Sequence, residues 1–143
     1  REQDPYFMER YRIFAKKLGE QIGDLTIEKG GPIIMVQVEN EYGSYGEDKP
    51  YVSAIRDIIR DSGFDKVTLF QCDWSSNFTK NGLDDLVWTM NFGTGANIEN
   101  EFKKLGELRP ESPQNVFRVL ERMVRQMGRA SRNARQQGKW SVG

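Results

Sequence analysis

Histidine is absent from the 143 residues, and cysteine occurs once, as Cys72. The first absence removes every Ser-His and Cys-His catalytic arrangement and the zinc sites built on histidine spacing. The second excludes a disulfide within the chain and leaves the redox compartment open; a lone cysteine on an expected strand reads as a small buried hydrophobe. No apolar run reaches the length of a membrane span, and the opening "REQDPYFMERYRIF" lacks the apolar centre of a secretory signal. It also lacks an initiator methionine, so the expectation is a fragment whose start lies upstream. What remains for acid-base chemistry is carboxylates.

Acidic residues are scarce at one end. The net charge of zero conceals a break after Gln114: the first part carries 14 Lys+Arg against 20 Asp+Glu, and the last 29 residues carry 7 against 1. A shift of that size marks a tail, a linker or a segment of different coding origin.

The body before the break alternates two periodicities. Asp4-Pro5 starts a helix, and Phe7, Tyr11, Phe14, Leu18 and Ile22 form one stripe expected to be buried. Pro32 to Val38 is a continuous apolar run of strand length, expected to be covered on both faces. Asp48 and Pro50 open a second helix with Val52, Ile55, Ile58 and Ile59 on its apolar side and Gly63 at its C-terminal cap. Val67–Cys72 and Leu86–Phe92 read as two further strands, with a loop between them. Asn97 caps a last helix running to about Leu108, before Pro110. Helix, strand, helix, strand, loop, strand, helix is the order of repeated βα units on a parallel sheet. Three strands cannot close a barrel, and a (β/α)8 barrel takes roughly 250 residues.

Reacting groups in parallel α/β folds sit at the carboxyl ends of strands. Here the first strand runs into "QVENEYGSYG", residues 37–46, and the others end in "QCDW" and "MNFGTG". Tyr42, Tyr45 and Trp74 lie beside these polar edges, and aromatic rings next to carboxylates and amides suit a sugar, whose C–H faces stack while its hydroxyls hydrogen-bond. Taken alone, Asn40-Glu41 after a strand usually reads as a solvated loop. Gly93 and Gly95 are too closely spaced for a phosphate cradle and read as a tight βα turn. Asn77-Phe78-Thr79 fits an N-glycosylation sequon, a pattern common by chance. Asp73 and Trp74 are placed to line a cleft without an assigned role.

The full string "GGPIIMVQVENEYGSYG", residues 30–46, resembles the signature of glycoside hydrolase family 35, the β-galactosidases, and the flanking "DPYFMERYRIF" and "DDLVWTMNFGTG" resemble the family's neighbouring segments. The resemblance implies an α/β fold, a partial (β/α)8 TIM barrel of about strands 4 to 6. It implies a retaining enzyme acting on terminal β-galactosyl residues by double displacement, with Glu41 as general acid/base and Asn40 as ligand of the sugar 2-hydroxyl. Glu39 matches the motif without a catalytic role and reads as a structural carboxylate. No cofactor or metal is implied. The expected partner is a β-galactoside, with no nucleic acid and no membrane, in an extracytoplasmic compartment: periplasmic, secreted or lysosomal.

A retaining glycosidase needs a second carboxylate about 5–5.5 Å from the first. The family places it in a motif resembling "SEFWSGWF" at the end of the seventh strand, and after "LRPESPQ" this chain instead reads "NVFRVLERMVRQMGRASRNARQQGKWSVG". Codon arithmetic offers an explanation. Methionine has one codon, ATG, so Met123 before Val124 and Met127 before Gly128 must each read TGG, tryptophan, one base over. With permitted codons, residues 115–134 read "MCSEFWSGWFDKWGARHETR" in that frame. Residues 1–114 are therefore read as a barrel fragment and residues 115–143 as a frameshifted basic tail, the product being inactive alone for want of its nucleophile. The alternatives are a non-catalytic carbohydrate-binding protein, or an interaction protein using the basic tail as an amphipathic helix.

Overall fold

The computed structural model describes residues 2–93 and 95–113 and the backbone of 115–118. Expectations for the rest of the basic tail, 119–143, lie outside the described residues. Helix α1 (Pro5–Ile22) begins where Asp4 accepts a hydrogen bond from the Phe7 N–H at 2.8 Å, with proline in the first turn, where no donor is lost. There follow β1 (Met35–Gln37), α2 (Lys49–Ile59), β2 (Thr68–Asp73), the single turn α3 (Phe78–Asn81), β3 (Val87–Asn91), α4 (Ile98–Leu108) and β4 (Asn115–Arg118). Asp48 and Asn97 cap α2 and α4 through the N–H groups of Tyr51 and Asn100. Gly63, at φ 101°, supplies the left-handed residue that lets the chain leave α2 and turn toward β2.

The four strands are parallel, in the order β1-β2-β3-β4. Three strands were expected. The fourth comes from the start of the basic tail, pairing Thr89 with Asn115, Met90 with Val116 and Asn91 with Arg118. Short α3 occupies what reads in the sequence as loop.

Two apolar clusters hold the elements together. Met8, Ala15, Val52, Ile55, Ile58, Ile59, Phe64, Val67 and Leu69 join α1, α2 and the first strands. Trp88, Met90 and Phe92 of the β3 segment pack with Phe78 and Leu105, the Phe78 and Trp88 rings stacked at 4.7 Å. Each fully buried side chain of this size contributes about 1.5–3 kcal/mol.

The α1 stripe departs from expectation. Tyr11 and Ile22 pack against the core, but Phe7, Phe14 and Leu18 are exposed, Phe14 by 60%. The buried line is Met8 and Ala15, and at Gly19 a Cβ would stand 1.6 Å from the Ser62 carbonyl oxygen. Small residues at 15 and 19 let α1 close on the segment after α2, which rolls the larger aromatics outward. β1 is likewise shorter than the run Pro32–Val38 and only half-buried, with Ile34 61% exposed. It is the edge strand of the described sheet, so one flank has no neighbour among the described residues to cover it.

Candidate active site

The carboxyl end of β1 is bent by two non-glycine residues with positive φ, Glu39 at 58° and Glu41 at 50°. Left-handed backbone at such residues costs free energy, so the surroundings must hold it. They do so at several points. Val38 N–H donates to the Phe70 carbonyl at 2.8 Å, and Glu41 N–H to the Cys72 carbonyl at 3.0 Å. Gln37 Nε2 donates to the Glu39 carbonyl at 2.7 Å and to Asn40 Oδ1 at 3.2 Å. The hydroxyl of fully buried Tyr51 donates to Glu39 Oε1 at 2.5 Å, and Asn40 N–H donates to Glu39 Oε2 at 3.2 Å.

Between these anchors the chain crosses from β1 over the end of β2. Glu41, half-buried, reaches β3, where Asn91 Nδ2 donates to its Oε1. Asn40 stands exposed beside it at the same rim. Glu39 is turned back into the fold against Tyr51, in keeping with a structural carboxylate. Its charge, after burial, also raises the pKa of the Tyr11 hydroxyl.

The three rim aromatics separate. Tyr42 is in the core, its ring 5.0 Å from that of Tyr51, and burial pushes its hydroxyl pKa up. The turn Tyr42–Ser44 swings its ring under the rim, against Gly46. Tyr45 is 72% exposed and Trp74 38% exposed. Cys72 is buried.

Asp73, at the end of β2, is a buried latch. Its Oδ2 accepts from the Gly43 N–H at 2.8 Å, and its Oδ1 from the Trp74 N–H at 2.9 Å and from Asn77 Nδ2 at 2.6 Å. A Cβ at Gly43 would lie 2.3 Å from the Asn77 Cβ, so only glycine lets the two loops meet. The sequon asparagine is thus a structural donor, bonded to Ser44 as well.

Beyond the strand ends lies an open hollow of about 410 Å³ lined by Trp74, Gly93, Gly95, Ala96, Asn97 and Glu101. Ala96 N–H donates to the Gly93 carbonyl at 3.0 Å, the tight turn expected of this glycine pair. Ser75 Oγ donates to Glu101 Oε2 at 2.5 Å, and this bond, against burial and with Lys104 assisting, holds the Glu101 carboxyl below its usual range. Among the described residues no group of three His, Cys, Asp or Glu is disposed to hold a metal ion.

The bent end of β1 lays two carboxylates and an amide across the rim of a parallel sheet. The model of the glycosyl hydrolases family 35 matches residues 1–140. The chain belongs to that family. It is similar to the beta-galactosidase of Xanthomonas manihotis, 38% identical over 116 residues, which make up 81% of this chain and 19% of that protein. The Homo sapiens beta-galactosidase is 36% identical over 116 residues, 79% of this chain and 17% of that protein. The Mus musculus beta-galactosidase-1-like protein is 35% identical over 114 residues, 79% and 18% respectively. The chain spans about a fifth of the length of these relatives.

Sequence reasoning missed three participants. Asn91 appeared only as part of a polar strand end, and a polar residue closing "VWTM" is the signal that could have singled it out. Tyr51 read as an ordinary helix residue. Asn77 read as a sequon, with nothing local to announce its contact with Asp73.

Proposed function

We propose that the chain is part of the catalytic barrel of a retaining β-galactosidase, comprising about strands four to six, with β4 standing where the seventh begins. Glu41 is the general acid/base and Asn40 the ligand of the sugar 2-hydroxyl. In the first step Glu41 protonates the glycosidic oxygen while a second carboxylate attacks the anomeric carbon. In the second, Glu41 takes a proton from the water that releases the sugar. The observation that carries this reading is the position of Glu41: bent over the rim, tied by its N–H to Cys72 and by its carboxylate to Asn91.

The register of β4 supports the missing-nucleophile reading. In the shifted frame the glutamate of "SEFW" falls at position 118, and position 118 pairs with Asn91, the residue that holds Glu41. Neighbouring strands lie about 4.8 Å apart, so a carboxylate there would come within reach of the roughly 5–5.5 Å separation that a retaining pair needs. The present chain has Arg118 at that point. With no positioned nucleophile the oxocarbenium-like charge goes unsupported, and the 143-residue product is inactive.

The test has two arms. The purified chain should not release nitrophenol from a nitrophenyl β-galactoside, whereas the gene read in the frame that encodes Glu-Phe-Trp after Gln114 should yield an enzyme that hydrolyses it with retention of anomeric configuration. Glu41→Gln in that longer enzyme should abolish leaving-group departure for poor leaving groups. DNA that encodes no Glu-Phe-Trp in any frame at this point refutes the frameshift, and turnover by the chain itself that is lost in Glu41→Gln refutes its inactivity.

A further inference from the structure

Gln37, the last residue of β1, takes no part in the steps above. It is half-buried, and its main chain is fixed in the sheet opposite Phe70. Its Nε2 donates both to the Glu39 carbonyl at 2.7 Å and to Asn40 Oδ1 at 3.2 Å. A carboxamide has nearly the same shape at its oxygen and nitrogen ends, so its partners alone decide which end faces which way. A main-chain carbonyl can only accept. The Glu39 carbonyl, folded back toward β1 by the left-handed turn at φ 58°, therefore draws the nitrogen end of Gln37. The second N–H of that nitrogen draws the oxygen end of Asn40. The Asn40 Nδ2 is then the limb turned away from Gln37.

Neither amide can reverse without a mismatch. Turning Asn40 alone sets its Nδ2 against Gln37 Nε2, donor to donor. Turning both sets the Gln37 oxygen against the Glu39 carbonyl, acceptor to acceptor. The main chain beneath is clamped as well: Asn40 N–H donates to Glu39 Oε2 at 3.2 Å, and Glu39 Oε1 accepts from the hydroxyl of fully buried Tyr51 at 2.5 Å. Tyr51 is itself fixed by its N–H, which donates to the cap residue Asp48 at 3.0 Å. One unambiguous carbonyl thus sets the sense of two amides in series, ending at a residue exposed on the rim.

We infer that Gln37 is a positioning residue that fixes Asn40 end for end, so that the site offers an N–H donor, not a carbonyl acceptor, to the sugar. The orientation stands on the contacts alone; its meaning for the sugar rests on the reading of Asn40 as ligand of the 2-hydroxyl. A hydroxyl both donates and accepts, so it fits either end of the amide. A 2-fluoro substituent can only accept and fits the donor end. A 2-ammonium group can only donate and is disfavoured there.

The experiment uses the full 143-residue chain at neutral pH and follows the side-chain amide signals of Gln37 and Asn40 by NMR in the parent, Gln37→Glu and Gln37→Met. A carboxylate at position 37 can only accept, so in Gln37→Glu the Asn40 amide should turn round, and one of its Nδ2 protons should move downfield. Gln37→Met should show no such shift. Trp88, whose indole N–H donates to the Leu83 carbonyl at 2.8 Å in the core, reports that each variant is folded. Asn40 Nδ2 signals that are the same in the parent and in folded Gln37→Glu overturn the inference. The second arm titrates methyl 2-deoxy-2-fluoro-β-galactoside against methyl 2-deoxy-β-galactoside, two neutral probes. The parent should bind the fluoro sugar roughly two- to threefold tighter, Gln37→Met should lose the preference and Gln37→Glu should reverse it. The same preference in all three chains overturns the inference. If the Asn40 protons move in Gln37→Glu but respond to neither sugar, the orientation by Gln37 stands and the reading of Asn40 as ligand falls.

Discussion

Asn91 of β3 donates its side-chain amide to the Glu41 carboxylate, joining two rim residues fifty positions apart in the chain. The bond makes Glu41→Gln a clean probe, because the glutamine oxygen can still accept from Asn91. Glu41→Gln should change the urea midpoint little, whereas Glu41→Leu and Asn91→Leu each remove one partner of a charge-assisted bond. Those two should cost about 1.5–3 kcal/mol in equilibrium unfolding. Equal losses for the glutamine and leucine variants would show that the bond does not hold the rim.

The Asp73 latch carries more. Asp73→Ala strands the buried N–H of Gly43 and leaves the Asn77 amide with Ser44 alone, and a loss of about 3 kcal/mol is expected. Gly43→Ala should be comparably harmful for a steric reason, since its Cβ would overlap Asn77. Combined with Asn77→Gly the alanine should be partly tolerated. Thermal or urea unfolding of the three variants measures this, and a Gly43→Ala chain as stable as the parent excludes the close approach.

Acid should weaken the fold through two carboxyls. For Asp85 burial opposes ionisation, but Arg56, the backbone and Arg60 outweigh it and hold the pKa below the usual range, with both ion pairs at 2.9 Å. Glu101 is held low chiefly by Ser75. A carboxyl whose pKa is depressed on folding binds protons more readily in the unfolded chain. Its stabilisation is therefore present above the ordinary carboxylate range near about pH 4 and lost as pH falls through the lower folded value. Urea midpoints should drop between about pH 4 and pH 2, and the drop should shrink in Arg56→Met/Arg60→Met. Because Asp85 is substantially exposed, salt should reduce its share.

The outward face of α1 should make the chain self-associate. Tyr6, Ile13 and Phe14 on α1, with Leu25, Ile27 and Ile34 after it, are exposed large apolar residues near an edge strand. Ile13→Glu/Phe14→Lys should lower dye binding to apolar surface and move the protein toward monomer on gel filtration, with unchanged circular dichroism. An unassociated parent chain would contradict the expectation.

How much of this was legible in the sequence varies with the range of the interaction. The three caps, Asp4, Asp48 and Asn97, are local events settled within four residues, and each stands where the pattern put it. The body strands β2 and β3 and the buried side of α2 also follow from local periodicity. The α1 face failed because a 3.6-residue period identifies a stripe without saying what covers it, and the contact of Gly19 with Ser62 decided the roll. Tyr42 failed for a similar reason: a single helical turn after Glu41 reverses its direction, and no spacing rule marks that turn. At the candidate site the motif singled out Glu39, Asn40 and Glu41, but the contacts of Glu39 and Glu41 are set by Tyr51, Cys72 and Asn91, which lie in other segments.

The strands of this sheet are neighbours in space in the same order as they leave the ribosome. Each new βα unit zips onto the rim left by the one before, so growth never requires a finished pairing to reopen. A parallel sheet grown in this order keeps one open border at every stage, and the hazard of such a border is stickiness rather than a scrambled interior.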